Sequence, residues 1–159
     1  MGIEEIEKPG GVWCQHARPG QGCAIHGQHP TACRVFMCQW LFQADIPEEL
    51  KPNRSKVILT AVKGARETQL VVYTDPSDPN AWRRGAMHAF LRQQTGGGGI
   101  GYARSVMVWV GKRMWLMTPD GDFDLGEING RKKFRIEKGP DGKPYVRQLE
   151  GSDDPRPAS

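Results

Sequence analysis

Four cysteines near the start of the chain are placed so that they could bind a metal ion together. Cys14, Cys23, Cys33 and Cys38 fall within 25 residues, separated by eight, nine and four residues. Thiolates coordinate soft and borderline metal ions, and metal binding supplies folding free energy to a segment too loop-like to build its own core. We therefore predict that these four cysteines hold one zinc ion or one iron–sulfur cluster.

Other interpretations of the cysteine segment stay open. His16, His26 and His29 interleave the cysteines, and an imidazole could replace a thiolate ligand or hydrogen-bond to one. The segment lacks the Cys-x2-Cys pairs that are typical of zinc fingers. Four buried cysteines that act as small apolar side chains, or disulfides between them, are the alternatives to a metal site.

The segment also resembles the core of the bacterial YkgJ-like cysteine-cluster proteins, which are regarded as zinc- or iron-chelating domains. About thirty residues are covered, and the core positions that match are Cys23, Ile25, Pro30, Cys33, Arg34 and Phe36. Cys14 matches the preceding cysteine of that family, and Cys38 with Trp40 and Leu41 resembles an ending found in some members. The resemblance implies metal binding and does not imply a reaction.

This chain departs from that family pattern at three points. His26 stands where the family usually has Tyr, and His29 stands where it has Arg. The family's upstream run of further cysteines does not occur before Cys14, so only one four-thiolate site can form. Arg34 follows a predicted ligand directly, and it would either offset the negative charge of the thiolates or form a surface salt bridge.

Four thiolates would close the coordination shell of a zinc ion, which favours a structural or interaction role over catalysis. We therefore expect a protein partner of unknown identity rather than a substrate. Two other motifs are set aside. Gly96–Gly101 contains G-x-G-x-x-G, but a helix precedes it and a strand follows it, the reverse of a dinucleotide site. Asp120–Asp124 is interpreted as a turn, because Leu125 and Arg131 break the pattern of a calcium loop.

Charge is unevenly distributed along the 159 residues. Residues 1–50 carry a net charge of −3, residues 51–119 carry +8 and residues 120–159 carry −1, and no acidic residue lies between Pro79 and Pro119. The alternative function is therefore a basic nucleic-acid-binding or assembly module with a metal-stapled head, its phosphate contacts coming from the 79–119 segment. The candidate contacts are Arg83, Arg84, Arg92, Arg104, Lys112 and Arg113.

Length and composition predict a small protein of the cytoplasm. No apolar run approaches the roughly 20 residues of a membrane-spanning helix. The start of the chain is acidic and lacks the apolar stretch of a secretory signal. Cytosolic thiols are kept reduced, so cysteines there serve more often as thiols or ligands than as disulfides.

Three hairpins are predicted from β-branched and apolar runs separated by turn residues. The predicted strand pairs are Val57–Val62 with Gln69–Tyr73, Ser105–Val110 with Arg113–Met117, and Lys133–Glu137 with Tyr145–Gln148. In the second pair, Val106, Val108 and Val110 should face one side of the sheet, and Met107 and Trp109 the other.

A single principal helix is predicted over Pro79–Gln94, with Asp78 as its N-cap and Pro79 at the first helical position. Its apolar face comprises Trp82, Ala86, Ala89 and Phe90, and a stripe of Arg84, His88 and Arg92 is expected to be solvated. Trp82, Trp109 and Trp115 are expected in the core.

These elements predict an α+β fold. A cysteine-rich, loop-dominated module over residues 1–46 packs on a mainly antiparallel sheet with one principal helix, arranged ββαββ plus a C-terminal hairpin. Residues 47–54 form a connector, residues 55–150 form the α+β domain, and residues 151–159 form a disordered tail.

Overall fold

The α+β class is confirmed by a computed structural model, which describes residues 2–9, 12–18, 21–63, 68–96, 105–128 and 134–148. The predicted disordered tail and most of the Gly96–Gly101 loop lie outside the described residues. The strands are β1 (Ala17–Arg18), β2 (Gly22–Cys23), β3 (Val57–Lys63), β4 (Thr68–Thr74), β5 (Val106–Val110), β6 (Arg113–Thr118), β7 (Gly121–Glu127), β8 (Phe134–Lys138) and β9 (Pro144–Gln148). The α-helices are α1 (Thr31–Arg34), α2 (Pro52–Ser55) and α3 (Gly85–Gln94).

The central element is a five-stranded sheet in the order β3-β4-β5-β6-β7. Three of its strand pairs are antiparallel, but β4 and β5 run parallel, so the sheet is mixed. Parallel neighbours need a crossover connection, and α3 lies in the segment that joins β4 to β5. Strand β7 was not predicted. A turn was expected over Asp120–Asp124, but of these residues only Asp120 lies in a turn, and the strand begins at Gly121.

The core lies between α3 and one face of this sheet. Alternate residues of neighbouring strands are buried there, because side chains on a strand point to opposite faces in turn. Val106 and Val108 are fully buried while Met107 and Trp109 are half-buried, as the alternation predicted. The core residues from the sheet and α3 are Val57, Leu59, Leu70, Val72, Val106, Val108, Met117, Met87 and Leu91.

The helix prediction over Pro79–Gln94 was wrong at its start. Residues Ala81–Arg83 form a separate 3-10 turn, and Arg84 then adopts an extended conformation before α3 begins at Gly85. Gly85 has a φ of +38°, a conformation that glycine adopts more readily than other residues. Asp78 does not cap α3, and its carboxylate instead accepts a hydrogen bond from the Arg84 guanidinium.

This break also changes which face of the helix is buried. Met87 and Leu91 point into the core, whereas Ala86 and Ala89 are exposed, contrary to the prediction. Trp82 is buried as expected, but it belongs to the 3-10 turn. Because the turn and α3 are not one continuous helix, the spacing from Trp82 did not identify the face of α3 that packs on the sheet.

The segment before the sheet also contributes to the core. Ile46 and Leu50 are buried in the same cluster as the sheet residues, although Leu50 lies in the stretch interpreted as a connector. The Ser55 hydroxyl, at the end of α2, donates to the Leu50 carbonyl at 3.0 Å and accepts from the Val57 amide at 3.3 Å. The predicted third hairpin is present as β8 and β9.

Candidate metal centre

Two of the cysteines lie on a short hairpin. Cys23 is the last residue of β2, and it pairs with Ala17 of β1. The Cys14 carbonyl accepts a hydrogen bond from the Ala17 amide at 3.0 Å, which forms a turn directly before β1. Ala17 donates a hydrogen bond to Cys14 and pairs with Cys23 across the hairpin. The hairpin therefore places both cysteines, nine positions apart in sequence, next to the same residue.

Cys33 reaches the same region from helix α1. The Glu5 carboxylate accepts hydrogen bonds from the backbone amides of Thr31 at 3.0 Å and Ala32 at 3.3 Å. These amides have no partner within the helix, so the carboxylate satisfies them and interacts favourably with the helix dipole. The first residues of the chain thereby hold the helix that carries Cys33.

The electrostatic surroundings of Cys33 include two other cysteines. Burial raises the pKa of the Cys33 thiol, and the charges of Cys14 and Cys23 raise that pKa further; Glu5 adds to them and Lys8 opposes them. Such interactions fade over about 10 Å at 0.1 M salt. The turn before β1, the end of β2 and α1 each carry one of these three cysteines.

Their present arrangement is not a closed coordination site. Within the stretches of chain that the structure describes, no three side chains of His, Cys, Asp or Glu stand close enough to hold a metal ion. Zinc–sulfur bonds of about 2.3 Å would require the sulfur atoms to approach to about 4 Å of one another. Binding at this centre would therefore draw the three short elements together.

Cys38 lies in different surroundings. Its side chain is buried, and it lines an open groove of about 360 Å³ together with Trp40, Leu41, Lys51, Pro52 and Asn53. The 3-10 turn Gln39–Leu41 follows it, and the Trp40 indole donates to the Pro47 carbonyl at 3.3 Å.

The histidines and Arg34 have other contacts. His29 accepts a hydrogen bond at Nδ1 from the Gly27 amide at 2.9 Å, and its ring stacks on His26 with 5.2 Å between centroids. The Arg34 guanidinium donates to the carbonyls of His29 and Gly27 at 3.1 and 3.4 Å. Arg34 thus holds the loop before α1, a role that neither sequence interpretation of this residue included. The His16 carbonyl accepts from the Ala24 amide, while its side chain is half-buried.

A second polar cluster, which the sequence did not predict, joins α3 to β7. Asp122 binds two residues of α3, the Arg92 guanidinium at 2.6 Å and His88 Nε2 at 3.2 Å. Arg92 also donates to the Thr118 carbonyl at 2.7 Å. The stripe of Arg84, His88 and Arg92 is therefore not simply solvated, because two of its members are paired and only one third exposed. The four-residue spacing of this stripe was visible in the sequence, but nothing in the sequence identified Asp122 of β7 as the partner of His88 and Arg92.

Two further arginines of the 79–119 segment, Arg83 and Arg113, have partners as well. Arg113 donates to both carboxylate oxygens of Asp124, and this holds the pKa of Asp124 below its ordinary value. The Arg83 guanidinium lies over the rings of Trp82 and Trp115, at 4.3 and 3.9 Å from their centroids. Arg104 lies outside the described residues. Acidic side chains on β7 thus offset part of the basic charge that the linear sequence displayed.

Comparisons with protein-family models, with curated proteins and with solved structures give no match. Across the described ranges, none of the helices has the length and apolar character that crossing a bilayer requires.

Proposed function

We propose that this protein binds one metal ion or cluster, a zinc ion or an iron–sulfur cluster, through the cysteines of its N-terminal segment. Cys14, Cys23 and Cys33 form the centre of that site, and Cys38 was the fourth ligand expected from the sequence. The metal serves structure or interaction rather than catalysis. The proposed setting is the cytoplasm, where thiols remain reduced and available for coordination.

The observation that supports this proposal is that three short local elements each carry one cysteine, and that the charges of Cys14 and Cys23 act on the Cys33 thiol. Strands β1 and β2 have two residues each and α1 has four, and elements so short are unstable in water without a further constraint. A metal ion bound to a cysteine from each would supply folding free energy that the few buried side chains of this segment do not. The resemblance to the YkgJ-like proteins, which rests on Cys23, Cys33 and their neighbours, supports the same ligand class.

An interaction role is supported by the apolar side chains around the cysteines. Trp13 is 65% exposed and directly precedes Cys14, and Val35 is 66% exposed and lies two residues after Cys33. Large apolar side chains clustered at a surface commonly mark a contact with another molecule. The exposed apolar residues of this segment are Val12, Trp13, Val35, Met37, Leu41 and Phe42.

The test is a measurement of bound metal on protein purified without oxygen. The expected result is either one zinc per chain in a colourless protein, or bound iron with an absorption band at about 400 nm. Cys33→Ser should lose the metal, whereas Gln28→Ala, an exposed position of the same segment, should retain it. A metal-free wild type, or a Cys33→Ser variant that keeps the full metal content, would contradict the proposal.

Nucleic-acid binding remains the second hypothesis, and the structure does not favour it. Arg84, Arg92 and Arg113 each form an ion pair with an aspartate, so they are less available for phosphates. If the hypothesis holds, binding to duplex DNA should fall steeply between 50 and about 200 mM salt, because bound cations displace counterions. Weak binding with a flat salt dependence would exclude a phosphate-neutralising surface.

A further inference from the structure

The hairpin of β8 and β9 has two different faces. Residues directly opposite each other on antiparallel strands share a face, and successive residues alternate between faces. Ile136 pairs with Val146, and both are half-buried on the inner face. Arg135 pairs with Arg147 on the outer face, and both are exposed. The hairpin, whose strand β9 also contacts β7, therefore presents an arginine from each strand to solvent.

The pairing of Arg135 with Arg147 is unfavourable in the protein alone. The Cβ atoms of directly opposite residues stand about 5 Å apart, and like charges at such positions repel each other. A guanidinium group binds phosphate through two parallel hydrogen bonds. A phosphate bound between these two side chains would therefore offset the repulsion.

Glu137 lies on the same outer face and neutralises one of the two arginines. Its carboxylate is 3.1 Å from Nε of Arg147, and it also accepts a hydrogen bond from the Tyr145 hydroxyl at 2.9 Å. Along the stretches of chain that the structure describes, no ion pair involves Arg135 or Lys138. The charge of Arg135 is thus available to a ligand.

Two lysines extend the positive charge toward the turn of the hairpin. Lys138 ends β8 and Lys143 directly precedes β9, and both are exposed. Lys143 lies 3.9 Å from Asp141, but both side chains are more than half exposed, so water screens this pair. Each strand has five residues, which gives the face a length of about 17 Å. About five nucleotides of a stacked strand have the same length.

An aromatic ring lies among these cations. Tyr145 is 44% exposed on the outer face, two residues before Arg147, and the hydrogen bond to Glu137 orients its ring. Proteins that hold single-stranded nucleic acid combine cations along the backbone with aromatic rings on which bases stack. In a duplex the bases are already stacked on one another, so the ring would gain no such contact.

We propose that the outer face of the β8–β9 hairpin binds single-stranded nucleic acid, with Arg135 and Arg147 on phosphates and Tyr145 stacked on a base. The charge of this face complements the phosphate backbone. The inference does not depend on the proposed metal centre. Its surface also differs from the 79–119 segment, because the arginines there that pair with aspartates are less available for phosphates.

The full chain is titrated into a fluorescent single-stranded oligonucleotide of about 16 nucleotides, and anisotropy is recorded at several salt concentrations. Arg135→Ala and Arg147→Ala should each weaken binding and reduce the slope of log K against log salt by about 0.7, the value for one phosphate of a single strand. Arg135→Lys keeps the charge and should keep the slope. Arg84→Ala is the control, since Arg84 is exposed and paired with Asp78, and it should change neither quantity.

A second pair of variants tests stacking. Tyr145→Ala should weaken binding of the single strand about tenfold, whereas Tyr145→Phe, which keeps the ring, should bind as the wild type does. Circular dichroism verifies that each variant retains its fold.

Three outcomes would overturn the inference. The first is absence of salt-dependent binding by the wild type. The second is a loss in Arg84→Ala as large as that in Arg135→Ala, which would indicate attraction by overall charge. The third is an affinity for a duplex of the same sequence, or for phosphatidylserine vesicles, equal to that for the single strand.

Discussion

Asp122 accepts a hydrogen bond from the Arg92 guanidinium at 2.6 Å, and this ion pair fastens the crossover helix α3 to the edge strand β7. The other carboxylate oxygen of Asp122 faces His88 at 3.2 Å. The Asp122 carboxylate therefore contacts two residues that lie one turn apart on α3. The pair is partly shielded from water, since the Asp122 side chain is only 17% exposed.

Removal of this carboxylate should destabilise the fold. For Asp122→Ala we expect a loss of about 1–3 kcal/mol in the free energy of unfolding, because Arg92 and His88 lose a charged acceptor at a partly buried position. Urea denaturation measures the change. Asp120→Ala is the control, since Asp120 is exposed and should change stability by less than about 0.5 kcal/mol. Equal stability of the two variants would show that the Asp122 contacts contribute nothing.

Substitution of the buried Leu91 tests which face of α3 packs on the sheet. Leu91 is fully buried, whereas Leu41 is 69% exposed, so the same substitution can be compared at both sites. Leu91→Ala should cost about 2–5 kcal/mol through lost burial and a residual cavity, and Leu41→Ala should cost less than about 0.5 kcal/mol. Thermal and urea unfolding give both values. A small loss at Leu91 would contradict the packing described for α3.

Lys56 offers a stabilising substitution. This residue follows α2 with a φ of +61°, a left-handed conformation that is strained for any residue with a Cβ. Lys56→Gly should raise the free energy of unfolding by about 0.5–1 kcal/mol, because relief of strain exceeds the added entropy of the unfolded chain. Lys56→Ala keeps the strain and serves as the control. A lower free energy of unfolding for Lys56→Gly than for Lys56→Ala would contradict the backbone strain assigned to this position.

The ion pair between Arg113 and Asp124 predicts a pH dependence. The pKa of Asp124 is lowered, first by the Arg113 hydrogen bond and also by the Gly126 amide, against the opposing effect of burial. Its contribution to stability is present above the pKa of an unfolded aspartate, about 3.9, and is lost as the pH falls through the lower folded value.

Asp124→Asn should accordingly be less stable than the wild type at pH 7, and the difference should shrink toward about pH 2. Denaturation curves at several pH values measure it, with Asp120→Asn as the matched control. A difference that stays constant down to low pH would show that ionisation of Asp124 is not its source.

Metal removal should loosen the cysteine segment and spare the sheet. If a metal joins the short elements, a chelator should speed hydrogen exchange at the Ala24 amide, which donates to the His16 carbonyl at 2.8 Å. Val72, fully buried in β4, should exchange as slowly as before. Equal acceleration at both amides would indicate global unfolding, and no change at Ala24 would indicate that no metal holds the hairpin.

The hairpins were predictable because their signals are local. Alternation along β5 and the two-residue turn at Gly111–Lys112 specify the pairing of β5 with β6, and the buried valines lie where the alternation places them. Strand β7 was missed for a different physical reason. A polar residue such as Asp122 carries no local strand signal when its role is to bind side chains 30 and 34 positions earlier in the chain.

The α+β class, the density of cysteines and the excess of positive charge in the middle of the chain follow from the order of amino acids alone, since these depend on composition and short-range periodicity. The surroundings of each cysteine and the pairing of the arginines with aspartates depend on the three-dimensional fold. The charges of Cys14 and Cys23 raise the pKa of the Cys33 thiol, while Cys38, five residues further along the chain, lies in the groove beside Trp40. Packing between distant segments sets these distances, because spacing along the chain limits how far apart two side chains can be but does not bring them together.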